Sequence, residues 1–347
     1  MDYTEDYINS CIIGDKKEKI CSSYEQNFSS LSPLTTYKKV VDKRHKNKIY
    51  GLSESDYLEV QEKIRKQNCF LEYNYIYDKI SSSHISLKDL VISANHNPDR
   101  YYALIQNRIN TLTNEAKGNG LEAIFITLTL PSEFHKMKMD KQTNTLIKNP
   151  KYNDISPKEA VKYLTKMYSR LRHDRSLKEL TKDERIYFRV NEPHKDGTPH
   201  THILLFIPKS NVNRVVTAFK RLFDNKANDI QTDIKNATSY IMKYINKTLP
   251  LSKQENLSKK EKYLNAWYSK HRIVRFNCSK TLAPLSLYRL LHDKFNLKEL
   301  TTLIKKKSLA IFVLQTNRNK IMEIFFGDEL IYQRSENYTL KNGLLDF

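Results

Sequence analysis

The segment "EPHKDGTPHTH" (192–202) places His200 and His202 two residues apart. On a β-strand, residues i and i+2 point to one face, so the two imidazoles stand side by side as a divalent metal ion requires. Alone, the pair is equally consistent with two incidental histidines. The intervening "KDGTP" reads as a turn. Folding back at Lys195–Thr198 returns Glu192 toward the histidines as a third ligand. Two imidazoles and a carboxylate suit Mn²⁺ or Mg²⁺, with positions left for substrate oxygens. His194 competes for the third place and ranks lower.

A second segment, "YIMKYINK" (240–247), sets Tyr240 and Tyr244 four residues apart. On an α-helix that spacing puts both phenols on one face, one turn apart. Lys243 is i+3 from Tyr240, and Lys247 repeats the relation to Tyr244. Taken alone, two tyrosines in a core stripe is the better reading, although Ile241 and Ile245 already supply a separate apolar line.

The elements that must carry these side chains are legible in the patterning. In "LEAIFITLTLPS", Ile124, Ile126, Leu128 and Leu130 share one face and Phe125, Thr127 and Thr129 the other, which predicts a strand closed by Pro131. Before it, a helix is predicted from Pro98 to Lys117, stopped at Gly118. Residues 132–155 read as a long polar loop. "SPKE" then starts a helix with Ser156 as N-cap and Glu159 closing a capping box. "RIYFRVNEP" (185–193) and "HTHILLFIP" (200–208) form a predicted hairpin, followed by an amphipathic helix over 211–223 and a short strand within 228–234. The tyrosine helix runs from about Asn236 to Lys247 and ends before Pro250. The order β-α-β-β-α-β plus one more helix predicts an α+β fold, a split βαβ, ferredoxin-like core with an antiparallel central sheet.

That core is expected within residues 98–250, after a helical and irregular extension over 1–97 with a short helix around Glu54–Gln67. A basic region over 251–347 follows, with helices in 285–306 and a hairpin in "AIFVLQTNRNKIMEIFF" turning near Asn317-Arg318-Asn319. Between Lys253 and Arg275, seven Lys or Arg residues face two Glu, with Tyr263, Trp267, Tyr268 and Phe276 interleaved. Such a segment fits a groove that tracks a nucleic-acid backbone and stacks bases, with Lys247, Trp267, Arg272 and Arg275 as contacts. A solvated charged helix with one core Trp accounts for it equally well.

Composition agrees with a polyanionic partner. Lys+Arg 59 against Asp+Glu 39 leaves a net charge of +20, which favours nucleic acid over an anionic membrane surface. No apolar run is long enough for a transmembrane helix, and "MDYTEDYINS" does not look like a signal peptide. Cys11, Cys21, Cys69 and Cys278 form no CxxC pair, as expected of a reducing cytoplasm without a disulfide framework. The seven glycines fall in no GxxxxGK[ST] or GxGxxG, so no nucleotide-phosphate loop is expected.

Together and in this order, "FITLTLPS", "EPHKDGTPHTHILLF" and "YIMKYINK" resemble the three motifs of the HUH endonucleases that initiate rolling-circle replication. The resemblance is closest to the phage replication gene A protein family, and "AWYSKHRIVRF" (266–276) also looks like family sequence. It covers roughly residues 98–290. It implies a ferredoxin-like, RRM-like HUH core. It implies that His200 and His202 bind Mg²⁺ or Mn²⁺, with Glu192 supported by both hairpin and similarity. It implies that Tyr240 and Tyr244 are alternating nucleophiles, with Lys243 beside them at the phosphate. The implied activity is metal-dependent nicking of single-stranded or locally melted origin DNA, giving a 5′-phosphotyrosine and a free 3′-OH, with later rejoining. Host helicase and polymerase are the implied partners, and the bacterial host cytoplasm the implied location. A relaxase or transposase of a mobile element, or a DNA-binding protein without catalysis on the same fold, are the alternatives.

Overall fold

Strand alternation in Leu121–Thr129 sets the centre of the molecule, because each face of that strand seeds a different apolar cluster. The computed structural model describes residues 48–140, 142–143, 145–249, 257–314, 320–334 and 338–342. In chain order these form α1 (Glu54–Tyr73), β1 (Asn74–Asp78), β2 (His84–Ser86), α2 (Pro98–Gly118) and β3 (Leu121–Thr129). Next come β4 (Met137–Met139), β5 (Leu146–Lys148), α3 (Pro157–Arg172), β6 (Ile186–Pro193), β7 (Pro199–Pro208), α4 (Lys209–Leu222), β8 (Asp229–Gln231) and α5 (Ala237–Thr248). The remainder comprises α6 (Lys259–His271), β9 (Phe276–Cys278), α7 (Leu285–Leu291), α8 (Leu297–Lys305), β10 (Leu309–Leu314), β11 (Lys320–Phe326), β12 (Glu329–Gln333) and β13 (Tyr338–Asn342). Two one-turn helices, Leu87–Leu90 and Arg175–Lys178, complete the inventory of longer elements.

The fold is mixed α/β with antiparallel sheets. The central sheet has the order β8-β3-β7-β6-β9, every neighbour antiparallel. Its fifth strand therefore comes from beyond residue 250. Ile124, Ile126 and Leu128 of β3 join Ile203, Leu205 and Ile207 of β7 on one face, under Leu164 of α3 and Phe219 of α4. Phe125, Leu204, Phe206 and Phe188 line the other face, under Ile109 of α2 and Ile241 and Ile245 of α5. Each such side chain, removed from water, contributes about 1.5–3 kcal/mol. The sheet is thus covered on both faces, and α5 is pinned to the face that carries Phe125.

Local signals set the helix starts. Asn97 caps α2 and Ser156 caps α3 with the reciprocal Glu159 bond. The helix expected around Glu54–Gln67 runs on to Tyr73. The stretch 132–155 is not the expected plain loop. It holds a 3₁₀ turn at Ser132–Phe134 and the β4–β5 ribbon. Strands β10 and β11 pair as expected, while the turn near Asn317 lies outside the described residues. β13 pairs with β1, and β10, β11 and β12 form a separate sheet. Among the described residues no helix is long and apolar enough to cross a membrane.

Candidate active site

The site begins at the β6–β7 hairpin. Its register sets Glu192 opposite His200 and Val190 opposite His202. Cross-strand partners share a face, so the carboxylate and both imidazoles are presented together. The turn is held by His194 and Thr198 backbone bonds and by Asp196, whose carboxylate accepts from the Thr198 amide and hydroxyl and pairs with His135 Nδ1 at 3.2 Å. Glu192 Oε2 lies 3.8 Å from the Nε2 of both His200 and His202. One ligand atom from each of the three falls within 4.8 Å of the others, the one such cluster of three among the described residues. The His194 ring lies 4.2 Å from that of His200, tilted by 36°, but His194 is not part of this set.

Chemistry and burial favour a cation there. Burial, the His202 and His194 rings and Lys247 push His200 down to about 2. Burial, Lys247 and His194 push His202 down to about 3. Both imidazoles are therefore neutral near pH 7 and offer a lone pair. Burial raises the Glu192 carboxyl above its ordinary value, against the pull of Lys247. Glu192 Oε1 and His200 Nδ1 are buried without a hydrogen-bond partner, so the donor set has capacity a divalent ion can use. His202 Nδ1 sits 3.1 Å from the Thr127 hydroxyl, which orients the ring so that Nε2 faces Glu192.

The helix α5 brings the phenols. Asn236 caps it by accepting from the Ser239 amide, and Ile241 and Ile245 anchor its inner face. Tyr240 and Tyr244 then lie on Phe125, edge-on at 4.5 Å and stacked at 5.5 Å. The Tyr244 ring is 4.2 Å from the His202 ring, and the two phenol rings are 6.1 Å apart. The Tyr240 hydroxyl donates to Gln231 Oε1 at 3.1 Å. Burial, Tyr240 and Glu192 push the Tyr244 phenol up to about 12, so it is protonated at neutral pH. Lys243 is exposed on α5, whereas Lys247 Nζ bonds Glu192 Oε2 at 2.9 Å.

Phe125, Thr127 and Gln231 were not among the expected site residues. The alternation of β3 placed Phe125 and Thr127 on one face, and that was the available signal. Tyr50 lies nearby as well: burial raises its phenol, and Lys247 and Glu192 are close enough to act on it.

Two expected DNA contacts are overturned. Trp267 is fully buried and its indole N–H donates to the Gly197 carbonyl at 3.0 Å. Arg275 is buried, with its guanidinium 4.2 Å over the Tyr268 ring and a bond to Asn265. Tyr263, Tyr268 and Phe276 are buried too. For the residues of α6 the reason is helical periodicity: Tyr263, Leu264, Trp267 and Tyr268 form its inward stripe, and its lysines point out. These residues brace the β6–β7 hairpin. The Tyr268 hydroxyl donates to the Asn191 carbonyl, and Asn191 is further held by Thr201 and the Val274 carbonyl. Of the four expected contacts, Arg272 and Lys247 are exposed.

A second brace comes from the turn around Tyr50 and Gly51, which abuts Asp196 and Gly197. Gly197 has φ +91, and a Cβ there would lie 2.5 Å from the Tyr50 carbonyl oxygen. Gly197→Ala is therefore expected to destabilise the protein by about 2–4 kcal/mol in urea unfolding. Gly118→Ala, where a Cβ meets nothing within 4 Å, is the matched control and should not destabilise.

A family model described as bacteriophage replication gene A protein (GPA) matches residues 36–251. The chain is 31% identical over 183 residues to the replication protein of Haemophilus phage HP1, covering 48% of this chain and 21% of that protein. It is 29% identical over 196 residues to the replication gene A protein of Escherichia phage P2, covering 52% and 25%. It is 29% identical over 218 residues to a probable replication endonuclease from a prophage-like region of Salmonella typhi, covering 55% and 26%. The matched segments thus span about a quarter or less of these relatives, at 21%, 25% and 26%. No solved structure matches the chain.

Proposed function

The chain belongs to the bacteriophage replication gene A protein family, and from that premise we propose that it is a tyrosine-dependent DNA nickase and strand transferase that initiates rolling-circle replication. The observation that carries this reading is the meeting of two elements. The Tyr244 ring lies 4.2 Å from His202, which is one of three groups gathered within 4.8 Å. The β8-β3-β7-β6 order with two helices on one face supports the ferredoxin-like HUH core that such enzymes use.

In this reading His200, His202 and Glu192 hold Mg²⁺ or Mn²⁺. Bound there, the ion would polarise the scissile phosphate and neutralise charge building on its non-bridging oxygens. Tyr244 is the first nucleophile, being the phenol nearer the ligand histidines. Its oxygen bonds to phosphorus, the bond from phosphorus to the 3′ oxygen breaks, and the phenol proton is balanced by the one the 3′ oxygen takes up. The product is a 5′-phosphotyrosine and a free 3′-OH. One ester replaces another, so the 3′-OH can reverse the step and rejoin the strand. Tyr240 is free to cut the regenerated junction while Tyr244 holds the first 5′ end. Lys243 and Arg272, both exposed, serve the substrate backbone. Host helicase and polymerase supply unwinding and synthesis.

The test is incubation of the protein with single-stranded DNA from the region flanking its own gene, with and without Mn²⁺. The expected result is a protein–DNA adduct that survives denaturation, forms only with metal, and leaves a 3′ end a polymerase extends. Binding of that DNA without any adduct would favour the non-catalytic alternative. Thr127→Val should lower Mn²⁺ affinity by about 10- to 100-fold, read by calorimetry, because it removes the hydroxyl that orients His202.

A further inference from the structure

We propose that Lys247 is a built-in counter-cation of the metal site, which gives up Glu192 when a divalent ion arrives and is then available to the DNA backbone. The inference rests on the metal-centre reading above and goes beyond it in coupling the two ligands. Three cationic or ligand atoms converge on one oxygen. Glu192 Oε2 lies 2.9 Å from Lys247 Nζ and 3.8 Å from each histidine Nε2.

The two ends of this bridge are unequal. The Glu192 side chain is 3% exposed, and Lys247 is 59% exposed. A carboxylate that deep cannot stay ionised without compensation. Lys247 is the cation in contact with it, reaching in on a flexible four-carbon stem from the solvent side. Its ammonium therefore does for the metal-free site what a divalent ion does for the loaded one. A cation of higher charge on the same oxygen repels the ammonium, and the exposed stem lets it swing outward.

Geometry decides where it goes. Lys247 stands three residues after Tyr244 and seven after Tyr240, so it shares their helix face. Once released it lies beside the strand those phenols would attack. Metal and DNA then bind cooperatively, and by linkage each raises the affinity for the other by the same factor.

The experiment uses the full chain in a Tyr240→Phe/Tyr244→Phe background, so that DNA stays intact. Mn²⁺ binding is measured by calorimetry without DNA, and binding of a single-stranded oligonucleotide by anisotropy with and without Mn²⁺ across a salt series. Circular dichroism checks the fold. Lys247→Gln should bind Mn²⁺ about 3- to 10-fold more tightly than the parent, since no ammonium has to leave. In the parent, Mn²⁺ should steepen the log–log salt dependence of DNA binding by about 0.7 more than in Lys247→Gln, the share of one phosphate contact. Mn²⁺ affinity in Lys247→Gln equal to or below that of the parent overturns the exchange. Equal salt slopes overturn the coupling to DNA. If the parent binds Mn²⁺ no better than a His200→Ala/His202→Ala protein, the metal centre itself falls, and this inference with it.

Discussion

Tyr240→Phe/Tyr244→Phe abolishes adduct formation, an expected loss of at least about 10⁴-fold in nicking rate, because no phenol oxygen remains to attack phosphorus. The single changes separate the roles. Tyr244→Phe should slow the first nick by about 10²–10³-fold, with Tyr240 supplying the residue of activity from a ring centre 6.1 Å away. Tyr240→Phe should slow the first nick by less than about tenfold. It should instead block the second cut and the release of closed circles. The folded state is barely touched. Each change removes one hydroxyl and keeps the ring on Phe125, so thermal unfolding should move by no more than about 1 kcal/mol in stability.

The second large effect is on the metal. His202→Gln should lower Mn²⁺ affinity by at least about 100-fold, exceeding the effect expected when only an orienting partner is lost. The surroundings of His202 suit the proposed ligation: burial keeps it neutral, Thr127 fixes its far nitrogen, and Phe125 lies stacked 5.5 Å away. Gln fills most of that space, so metal loss is expected with circular dichroism unchanged. Nicking should fall in parallel and should not recover at millimolar Mn²⁺ if the imidazole also fixes the ring of Tyr244, 4.2 Å from it.

The parts of this site that the sequence discloses are those set by short periods. Two-residue alternation in β3 and β7 put Thr127 and both histidines on assigned faces. Four-residue spacing put both phenols on one face of α5. What escapes is set by contacts between distant segments. The bond from Lys247 to Glu192 spans 55 residues, and that from Thr127 to His202 spans 75. The burial of Trp267 escapes for the same reason. Charge and aromatics interleave in α6, and only its packing against α1 and the 194–198 turn reveals which stripe faces in. The β4–β5 ribbon was missed because strands of three residues are too short for alternation to register.

The most direct measurement is mass spectrometry of the adduct formed on cleavable single-stranded DNA, after nuclease trimming and trypsin. Cleavage after Lys235, Lys243 and Lys247 separates the phenols, giving one peptide with Tyr240 (236–243) and one with Tyr244 (244–247). We expect the nucleotide mass on the 244–247 peptide first, and on 236–243 only after a second round. DNA cut in the presence of metal with no nucleotide on either peptide would contradict the assignment of these tyrosines as nucleophiles.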